Sequence, residues 1–104
     1  MIEITLMYPA GEGRTFDMDY YLNTHVPLFQ KRMGANAQNL KILRGIQGLT
    51  PGSPAPYVAI ATWTAKSAEA YAAAFAPHAD EILGDIPKYT NIQPVVQYSE
   101  IIPV

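Results

Sequence analysis

The chain has 104 residues, a formal net charge of -2, 15% charged and 49% hydrophobic residues, and no cysteine. These values predict one folded domain over residues 1–104, because the length leaves no room for a second core and the low charge rules out intrinsic disorder. They also exclude disulfides, thiolate metal sites and cysteine nucleophiles.

The charge and hydropathy of the sequence limit which classes of partner and which cellular location we expect. The seven Lys and Arg residues are spread singly among nine Asp and Glu residues. Because no basic stripe could neutralise phosphates, we expect no nucleic-acid partner. No apolar run approaches the ~20 residues of a membrane span, so we expect a cytoplasmic protein that binds no membrane. A small chain this apolar is expected to cover part of its surface by self-association.

The first third of the chain predicts a strand followed by a helix. From Ile2 to Tyr8 apolar residues recur at every second position, which is typical of a strand with one buried face. A helix follows, with Asp17 as its N-cap and an end near Met33, because Gly34 is suited to the left-handed conformation that terminates helices. Pro27 should lie on the solvent side of this helix, which can bend there around the core.

The middle of the chain predicts a hairpin. Strand patterns run from Gln38 to Leu49 and from Tyr57 to Thr64. The Pro- and Gly-rich stretch from Thr50 to Pro56 between them is typical of a turn. Because both strands carry apolar residues on both faces, we expect the hairpin to lie centrally in a layered structure.

The last third predicts a helix, a short helical piece and an edge strand. Ser67 is suited to cap a helix with one apolar face, Pro77 interrupts that helix, and a short helical piece runs to Gly84. The last strand is predicted from Ile92 to Ile102. Because Pro94 cannot donate a ladder hydrogen bond, this strand should form an edge of the sheet or be bulged there.

The order of elements is strand, helix, strand, strand, helix, strand, which predicts an α+β protein with a ferredoxin-like βαββαβ fold. Helices cover one face of such an antiparallel sheet, and the other face is polar in a monomer. Here alternation assigns apolar residues to both faces: Leu43, Leu49, Trp63, Val95 and Ile101 to one, and Ile42, Ile46, Val58, Ile60, Val96 and Ile102 to the other. We therefore expect the sheet of an identical chain to cover the second face, giving a homodimer.

His25 is the most informative polar residue of the first helix. At about 100° per residue, His25 falls inside the apolar arc between Tyr21 and Phe29, so its imidazole should face inward. Burial removes the hydration of the ring and disfavours its charged form. Two interpretations follow. His25 either hydrogen-bonds a carbonyl or tyrosine and fixes the helix to the sheet, or it moves a proton in a cavity between them.

The residues around His25 also carry a family resemblance. The run Tyr20–Leu28, YYLNTHVPL, is similar to the YY-x-x-x-H-x-P-L signature of the EthD family within the dimeric α/β-barrel superfamily. The segment Phe75–Asn91, with Asp85-Ile86-Pro87 and Tyr89-Thr90-Asn91, resembles that family's segment before the last strand. The resemblance extends over nearly the whole chain and implies a ferredoxin-like protomer whose sheet packs on a second one to form a barrel.

The resemblance also implies a range of activities. Members of the EthD family are associated with ethyl tert-butyl ether degradation clusters. Relatives include cofactor-free oxygenases, lactone isomerases, and decarboxylases or cyclases of polyketide-like aromatics. The resemblance therefore favours a functional His25 over a purely structural one.

Four aromatic residues are candidates for a substrate-binding wall: Tyr8, Tyr21, Phe29 and Trp63. Their rings could hold a substrate and the tyrosine hydroxyls could orient a phenol or carbonyl; packing in the core is the alternative for each. His78 could join His25 as a metal or haem ligand, as some relatives in the wider superfamily bind haem, but two distant histidines without ligand spacing make a poor metal site. We expect no metal and no cofactor.

These observations lead to one functional hypothesis and one alternative. The hypothesis is a small-molecule pocket protein of catabolic or oxidative metabolism that uses His25 as acid and base on a small hydrophobic or aromatic substrate, in isomerisation, decarboxylation or cofactor-independent oxygenation. One ring nitrogen should then be held by a backbone carbonyl or a tyrosine hydroxyl, and the other should open to the cavity. The alternative is a non-catalytic ligand-binding or accessory protein of a degradation pathway.

Overall fold

Alternating apolar residues build a four-stranded antiparallel sheet. In the computed structural model, which describes residues 1–104, the strands are β1 (Ile2–Pro9), β2 (Gln38–Arg44), β3 (Tyr57–Ala65) and β4 (Val95–Glu100). Their order across the sheet is β2-β3-β1-β4, and every neighbouring pair is antiparallel. With the helices this is the predicted ferredoxin-like βαββαβ arrangement.

Helices pack on one face of the sheet. The first helical run comprises α1 (Met18–Tyr20), a π-helical turn (Tyr21–His25) and α2 (Val26–Met33), and the second comprises α3 (Ala68–Phe75) and α4 (Ala79–Asp85). Short 3-10 turns lie at Gly34–Asn36, Ala76–His78 and Ile86–Lys88. None of these helices has the length and apolar character needed to cross a membrane.

The predicted capping side chains begin both helical runs. Asp17 Oδ1 accepts a hydrogen bond from the backbone N–H of Tyr20 at 3.1 Å, and Ser67 Oγ accepts one from that of Ala70 at 3.0 Å. At the other end, α2 stops before Gly34, which has φ 54 and ψ -131. The positive φ is as predicted, but this ψ lies outside the left-handed helical region, in a conformation that glycine alone adopts readily.

The first helical run widens into its π turn just before Pro27. The N–H of Val26 donates to the carbonyl of Tyr21, five residues earlier. Pro27 is exposed, as predicted, and it has no N–H with which to continue the hydrogen-bond ladder. π turns inside α-helices are frequent at functional sites, and this one ends on His25.

Two clusters of buried side chains fill the space between helices and sheet. The larger one surrounds Ile4 and Trp63, and the smaller one surrounds Tyr8 and Tyr89. Because Ile4 and Tyr8 are four positions apart on β1, their side chains lie on the same face of the sheet. The clusters are therefore neighbours along the covered face, and Leu6 packs against both.

The cross-strand register corrects the predicted assignment of side chains to faces. Trp63 pairs with Ile4 and lies on the helix-covered face, as do Ile42 and Val96. On the open face, one row of apolar side chains crosses the sheet, formed by Leu43, Ile60, Met7 and Val95. Beside it runs a row of polar side chains, formed by Lys41, Thr62, Thr5 and Gln97. Alternation along a strand divides its side chains into two sets, one for each face of the sheet. Only the pairing register between strands shows which set faces the helices. The open face is therefore less apolar than predicted.

The second strand is shorter and more peripheral than predicted. It ends at Arg44 rather than Leu49, and it forms an edge of the sheet, so only β3 of the hairpin is central. The chain leaves the strand at Gly45, where any Cβ would collide with the carbonyl oxygen of Tyr57. Ile46 and Leu49 consequently lie outside the sheet and are 88% and 100% exposed.

The last strand forms the other edge of the sheet, as Pro94 predicts. It begins at Val95, three residues later than the predicted start at Ile92, so Pro94 lies outside the ladder. It ends at Glu100, which is two residues earlier than predicted. Ile101 and Ile102 therefore belong to an exposed tail rather than to either face of the sheet.

Candidate functional site

A cavity of about 190 Å³ lies between the helices and the covered face of the sheet. All four predicted wall residues line it together with His25: Tyr8, Tyr21, Phe29 and Trp63. The other lining residues are apolar or aromatic, and no Lys, Arg, Asp or Glu is among them. Apolar cavities of about 150 Å³ bind benzene. The chain thus has a cavity of the size and polarity for a small apolar molecule.

The π turn places His25 between two tyrosine rings. The imidazole is stacked on Tyr21 with ring centroids 5.8 Å apart and planes at 17°, and it is tilted against Tyr89 at 4.7 Å. Only 7% of the residue is exposed. His25 therefore faces inward, as the helical periodicity predicts.

The hydrogen-bond partner of His25 differs from both predicted partners. Its Nδ1 lies 3.0 Å from Oδ2 of Asp85, where a backbone carbonyl or a tyrosine hydroxyl was predicted. The reason is that α4 extends to Asp85, one residue beyond its predicted end at Gly84, and presents this carboxylate at the end of the helix.

The carboxylate determines the tautomer of His25. An ionised carboxylate can only accept hydrogen bonds, so Nδ1 must carry the proton and Nε2 must hold the lone pair. Because the bond to Asp85 is the one hydrogen bond of the His25 ring, Nε2 has no partner in the chain. His25 thus lines the cavity and is held through Nδ1.

Asp85 is itself held in the ionised form. The hydroxyl of Tyr20 donates to Oδ1 at 2.7 Å, and Lys88 Nζ lies 3.8 Å from the same oxygen. Burial of this carboxyl acts to raise its pKa, but the hydrogen bonds from Tyr20 and His25 and the nearby positive charge outweigh burial, so the pKa is lowered. Asp85 therefore remains a hydrogen-bond acceptor at neutral pH.

Two opposing effects act on the charge of His25. Burial lowers the pKa of the imidazole below its ordinary value of 6.5, and the hydrogen bond and charge of Asp85 act to raise it. Burial is the larger effect, so the net shift is downward. The ring is consequently neutral near neutral pH, which is the protonation state that a general base requires.

A cluster of tyrosines surrounds the histidine end of the cavity. The hydroxyls of Tyr8 and Tyr89 are 2.6 Å apart, and the ring of Tyr8 meets that of Tyr21 edge to face. Burial raises the pKa of Tyr8 to about 12 and also raises the pKa of Tyr21 and Tyr89. These phenols therefore stay protonated, so they can donate hydrogen bonds but cannot act as bases near neutral pH.

Sequence reasoning missed three residues of this site: Tyr20, Asp85 and Tyr89. Each stands in one of the two segments that carry the family resemblance, which was the available signal. His78 does not join His25: it lies at the start of α4, and no three His, Asp or Glu side chains converge where they could hold a metal ion.

Similar proteins share the fold of this chain, and one of them is also clearly similar to it in sequence. A family model described as EthD domain matches residues 10–98. An EthD-like protein from Ralstonia eutropha JMP134 is 39% identical, with a TM-score of 0.92, and the match covers 98% of this chain and 92% of that chain. No curated protein matches the chain significantly.

Two more distant structures show the fold alone. An EthD family protein from Bacillus halodurans C-125 is 18% identical, with a TM-score of 0.58, over 91% of this chain and 96% of that chain. A DABB family protein with a ferredoxin-like fold from Mesorhizobium loti MAFF303099 is 10% identical, with a TM-score of 0.59, over 98% of this chain and 97% of that chain.

Proposed function

The chain belongs to the EthD domain family, and we propose that it binds a small hydrophobic or aromatic molecule of catabolic or oxidative metabolism and moves a proton on it with His25. The observation that carries this proposal is the 3.0 Å contact between His25 Nδ1 and the Asp85 carboxylate. That contact leaves Nε2 as a proton acceptor on a residue that lines an apolar cavity. A neutral, positioned imidazole is the group best suited to proton transfer near pH 7.

The geometry supports a mechanism that needs only residues of this chain for its first step. A C–H or O–H of the bound molecule gives its proton to Nε2, and its bonding electron pair stays on the substrate as an enolate or phenolate. The ring then becomes an imidazolium whose charge is stabilised by Asp85 one hydrogen bond away. Returning the proton to another carbon completes an isomerisation. In a decarboxylation, Nε2 instead takes the proton of a carboxyl O–H. The C–C bond to the carboxylate then breaks, CO₂ leaves, the bonding electron pair stays on the substrate carbon, and the imidazolium returns the proton to that carbon.

Hydrogen–deuterium exchange tests this step without knowledge of the natural substrate. Carbon acids that contain one aromatic ring, such as phenylacetone and 2-tetralone, are incubated with the protein in D₂O, and loss of the α-proton signal is followed by NMR. We expect exchange to be accelerated by the native protein and to be lost in His25→Gln, with His78→Gln as the matched control. Binding of the probes without any protein-dependent exchange would contradict the proton-transfer proposal.

A specific observation favours the second candidate, a non-catalytic ligand-binding or accessory protein of a degradation pathway. His25 is the single ionisable group other than tyrosine in the cavity lining, and aromatic rings pack on it from two sides. Such a ring could also serve as one polar anchor for a bound molecule. If this second candidate is correct, His25→Gln weakens binding of the probes, and neither the native protein nor the variant accelerates exchange of their α-protons.

We also propose that the functional unit is a cytoplasmic homodimer. The row Leu43, Ile60, Met7 and Val95 crosses all four strands of the open face, and Leu43 and Val95 are 44% and 48% exposed. A two-fold axis through this row would bring the same apolar residues of two copies together. The absence of cysteine fits a reducing compartment.

A further inference from the structure

Tyr20 contacts the histidine site from outside the cavity, whose lining does not include it. Its hydroxyl donates to Oδ1 of Asp85 at 2.7 Å, and Oδ2 of the same carboxylate lies 3.0 Å from Nδ1 of His25. Two different side chains therefore engage the two oxygens. The last torsion of an aspartate side chain is broad, so a carboxylate bound through one oxygen can turn, whereas one bound through both is held in one orientation.

Of the two groups beside Oδ1 of Asp85, the hydroxyl of Tyr20 is the stronger partner. Lys88 Nζ lies 3.8 Å from this oxygen, beyond hydrogen-bond distance, and 66% of its side chain is exposed. Water screens a charge in such a position. Burial raises the pKa of Asp85, and among the groups that lower it the hydrogen bond from Tyr20 has the largest effect and the charge of Lys88 the smallest. The hydroxyl is thus the group that fixes Oδ1.

Tyr20 is itself fixed at both ends. Its backbone N–H donates to Asp17 Oδ1 at 3.1 Å. Its ring is stacked on that of Tyr89, with centroids 6.2 Å apart and planes at 22°, and Tyr89 in turn packs against His25. A side chain that orients another group must have its own rotamer locked by such contacts. Tyr20 meets this condition.

The π turn brings Tyr20 and His25 to the same carboxylate. At about 100° per residue, residues five apart in a regular α-helix point about 140° apart around the axis. In the π turn the N–H of Val26 donates to the carbonyl of Tyr21, so one turn takes five residues and residues five apart lie on nearly the same face. Tyr20 directly precedes this turn and His25 ends it. Their side chains can therefore both reach Asp85.

We propose that Tyr20 is a positioning residue whose hydroxyl holds Oδ1 of Asp85, so that Oδ2 stays on Nδ1 of His25 and the lone pair of Nε2 keeps its direction. Tyr20 contacts the bound molecule at no point and acts only through Asp85. This inference rests on the proposed function for its effect on proton transfer. Its effect on the tautomer of His25 depends on no substrate.

Tyr20→Phe tests the positioning role because it removes the hydroxyl and keeps the ring that stacks on Tyr89. Long-range ¹H–¹⁵N spectra report the tautomer, since the two ring nitrogens of His25 have well-separated shifts in one tautomer and approach each other when tautomers mix. We expect this separation to narrow in Tyr20→Phe. We also expect α-proton exchange of 2-tetralone to slow about threefold or more, while its affinity changes by less than about twofold.

Three further variants show whether the effect passes through Asp85. Tyr57→Phe is the matched control, because it removes the hydroxyl of a half-buried tyrosine on β3 that does not line the cavity. It should leave the tautomer and the rate unchanged. Lys88→Gln should have a smaller effect than Tyr20→Phe. In an Asp85→Asn background, Tyr20→Phe should have no further effect on either quantity.

A second measurement needs no variant and keeps the test valid if thermal melts show that Tyr20→Phe is unfolded. In the native protein, the bond to Asp85 should protect the hydroxyl proton of Tyr20 from exchange with water. A hydroxyl proton that exchanges as fast as that of Tyr57 would contradict the positioning role.

The outcomes separate this inference from the proposed function. If the native protein does not accelerate exchange but Tyr20→Phe mixes the tautomers of His25, the proposed function is contradicted and the positioning role is supported. If the native protein accelerates exchange and Tyr20→Phe changes neither the tautomer nor the rate, only the positioning role is contradicted. A lower melting temperature with an unchanged tautomer would also contradict it, because Tyr20 would then serve the fold alone. A larger effect of Lys88→Gln would assign the orientation of Asp85 to charge and contradict it as well.

Discussion

Asp85 determines the tautomer of His25 and stabilises the imidazolium that proton transfer would form, so removing its charge should impair proton transfer more than folding. In Asp85→Asn the side-chain amide can donate to Nδ1, which favours the tautomer with the proton on Nε2 and occupies the base. We expect the exchange rate to fall at least about tenfold, and the loss of a hydrogen bond to a charged group to cost about 1.5–3 kcal/mol of stability. Exchange kinetics and thermal melts measure the two effects.

The matched control for Asp85→Asn is Asp80→Asn, which removes an exposed carboxylate from the same helix. Surface substitutions of this kind usually change stability by less than about 0.5 kcal/mol. Native exchange rates in both variants would show that Asp85 has no role in positioning the histidine.

The lowered pKa of His25 makes stability depend on pH in a defined direction. The unfolded chain, in which the pKa returns to its ordinary value of 6.5, binds the proton more tightly than the folded chain does. Stability is therefore highest above 6.5 and declines as the pH falls through this value toward the folded pKa. Asp85 has an ordinary pKa of 3.8 that is also lowered on folding, so its contribution is lost only at lower pH.

Thermal melts between about pH 7.5 and pH 5 measure this effect. We expect the melting temperature of the native protein to fall more over this window than that of His25→Gln. The variant His78→Gln should behave like the native protein. A steeper fall in His25→Gln than in the native protein would show that folding raises the pKa of His25 instead of lowering it.

Helical periodicity was sufficient to orient His25, but it could not identify the partner of the ring. The inward direction of the imidazole depends only on its spacing from Tyr21 and Phe29, which is local. Asp85 is 60 residues away in sequence, and its role depends on where α4 ends and how that end meets the π turn. Helical periodicity carries no information about such a contact, and the only available signal was the family resemblance of the segment that contains Asp85.

At the scale of elements, the helix end at Gly34 makes a sharp stability prediction. Gly34 has φ 54, so a side chain there is strained although it would meet no neighbouring atom. Gly84 lies inside α4 with ordinary φ and equally open space, so it is a matched control. We expect Gly34→Ala to cost about 1–2 kcal/mol and Gly84→Ala to add about 0.4–1 kcal/mol.

Chemical denaturation of these two variants gives the free energies of unfolding. If both substitutions shift stability in the same direction, the positive φ at Gly34 does not limit which residue can end the helix.

The elements that sequence patterns predicted well are those set by local chemistry. Asp17 and Ser67 begin their helices because each side chain satisfies a free backbone N–H, and Pro94 delimits the last strand because it lacks one. The faces of the sheet were predicted less well, since Trp63 was placed with Leu43 and Val95. That assignment depends on pairing between strands, which alternation within one strand does not contain.

At the scale of the whole molecule, the apolar row of the open face predicts association. Sedimentation should give twice the chain mass of 11.4 kDa at micromolar concentration, and the obligate interface should bury roughly 2,000 Å² or more. Ile60→Lys places a charge in the middle of the row and should give monomers, whereas Glu69→Lys on the exposed surface of α3 should not. A stable, folded monomer of the native protein would contradict the barrel arrangement.

The protonation state of His25 decides whether the proposed proton transfer is possible, because every step of it depends on a free lone pair on Nε2. The chain has two histidines, so long-range ¹H–¹⁵N correlation spectra of the native protein and His25→Gln assign both rings. We predict that at about pH 7 the His25 ring is neutral, with its proton on Nδ1 and a lone pair on Nε2, and that it titrates below 6.5. A proton on Nε2, or a charged ring at that pH, would contradict the role of His25 as a proton acceptor.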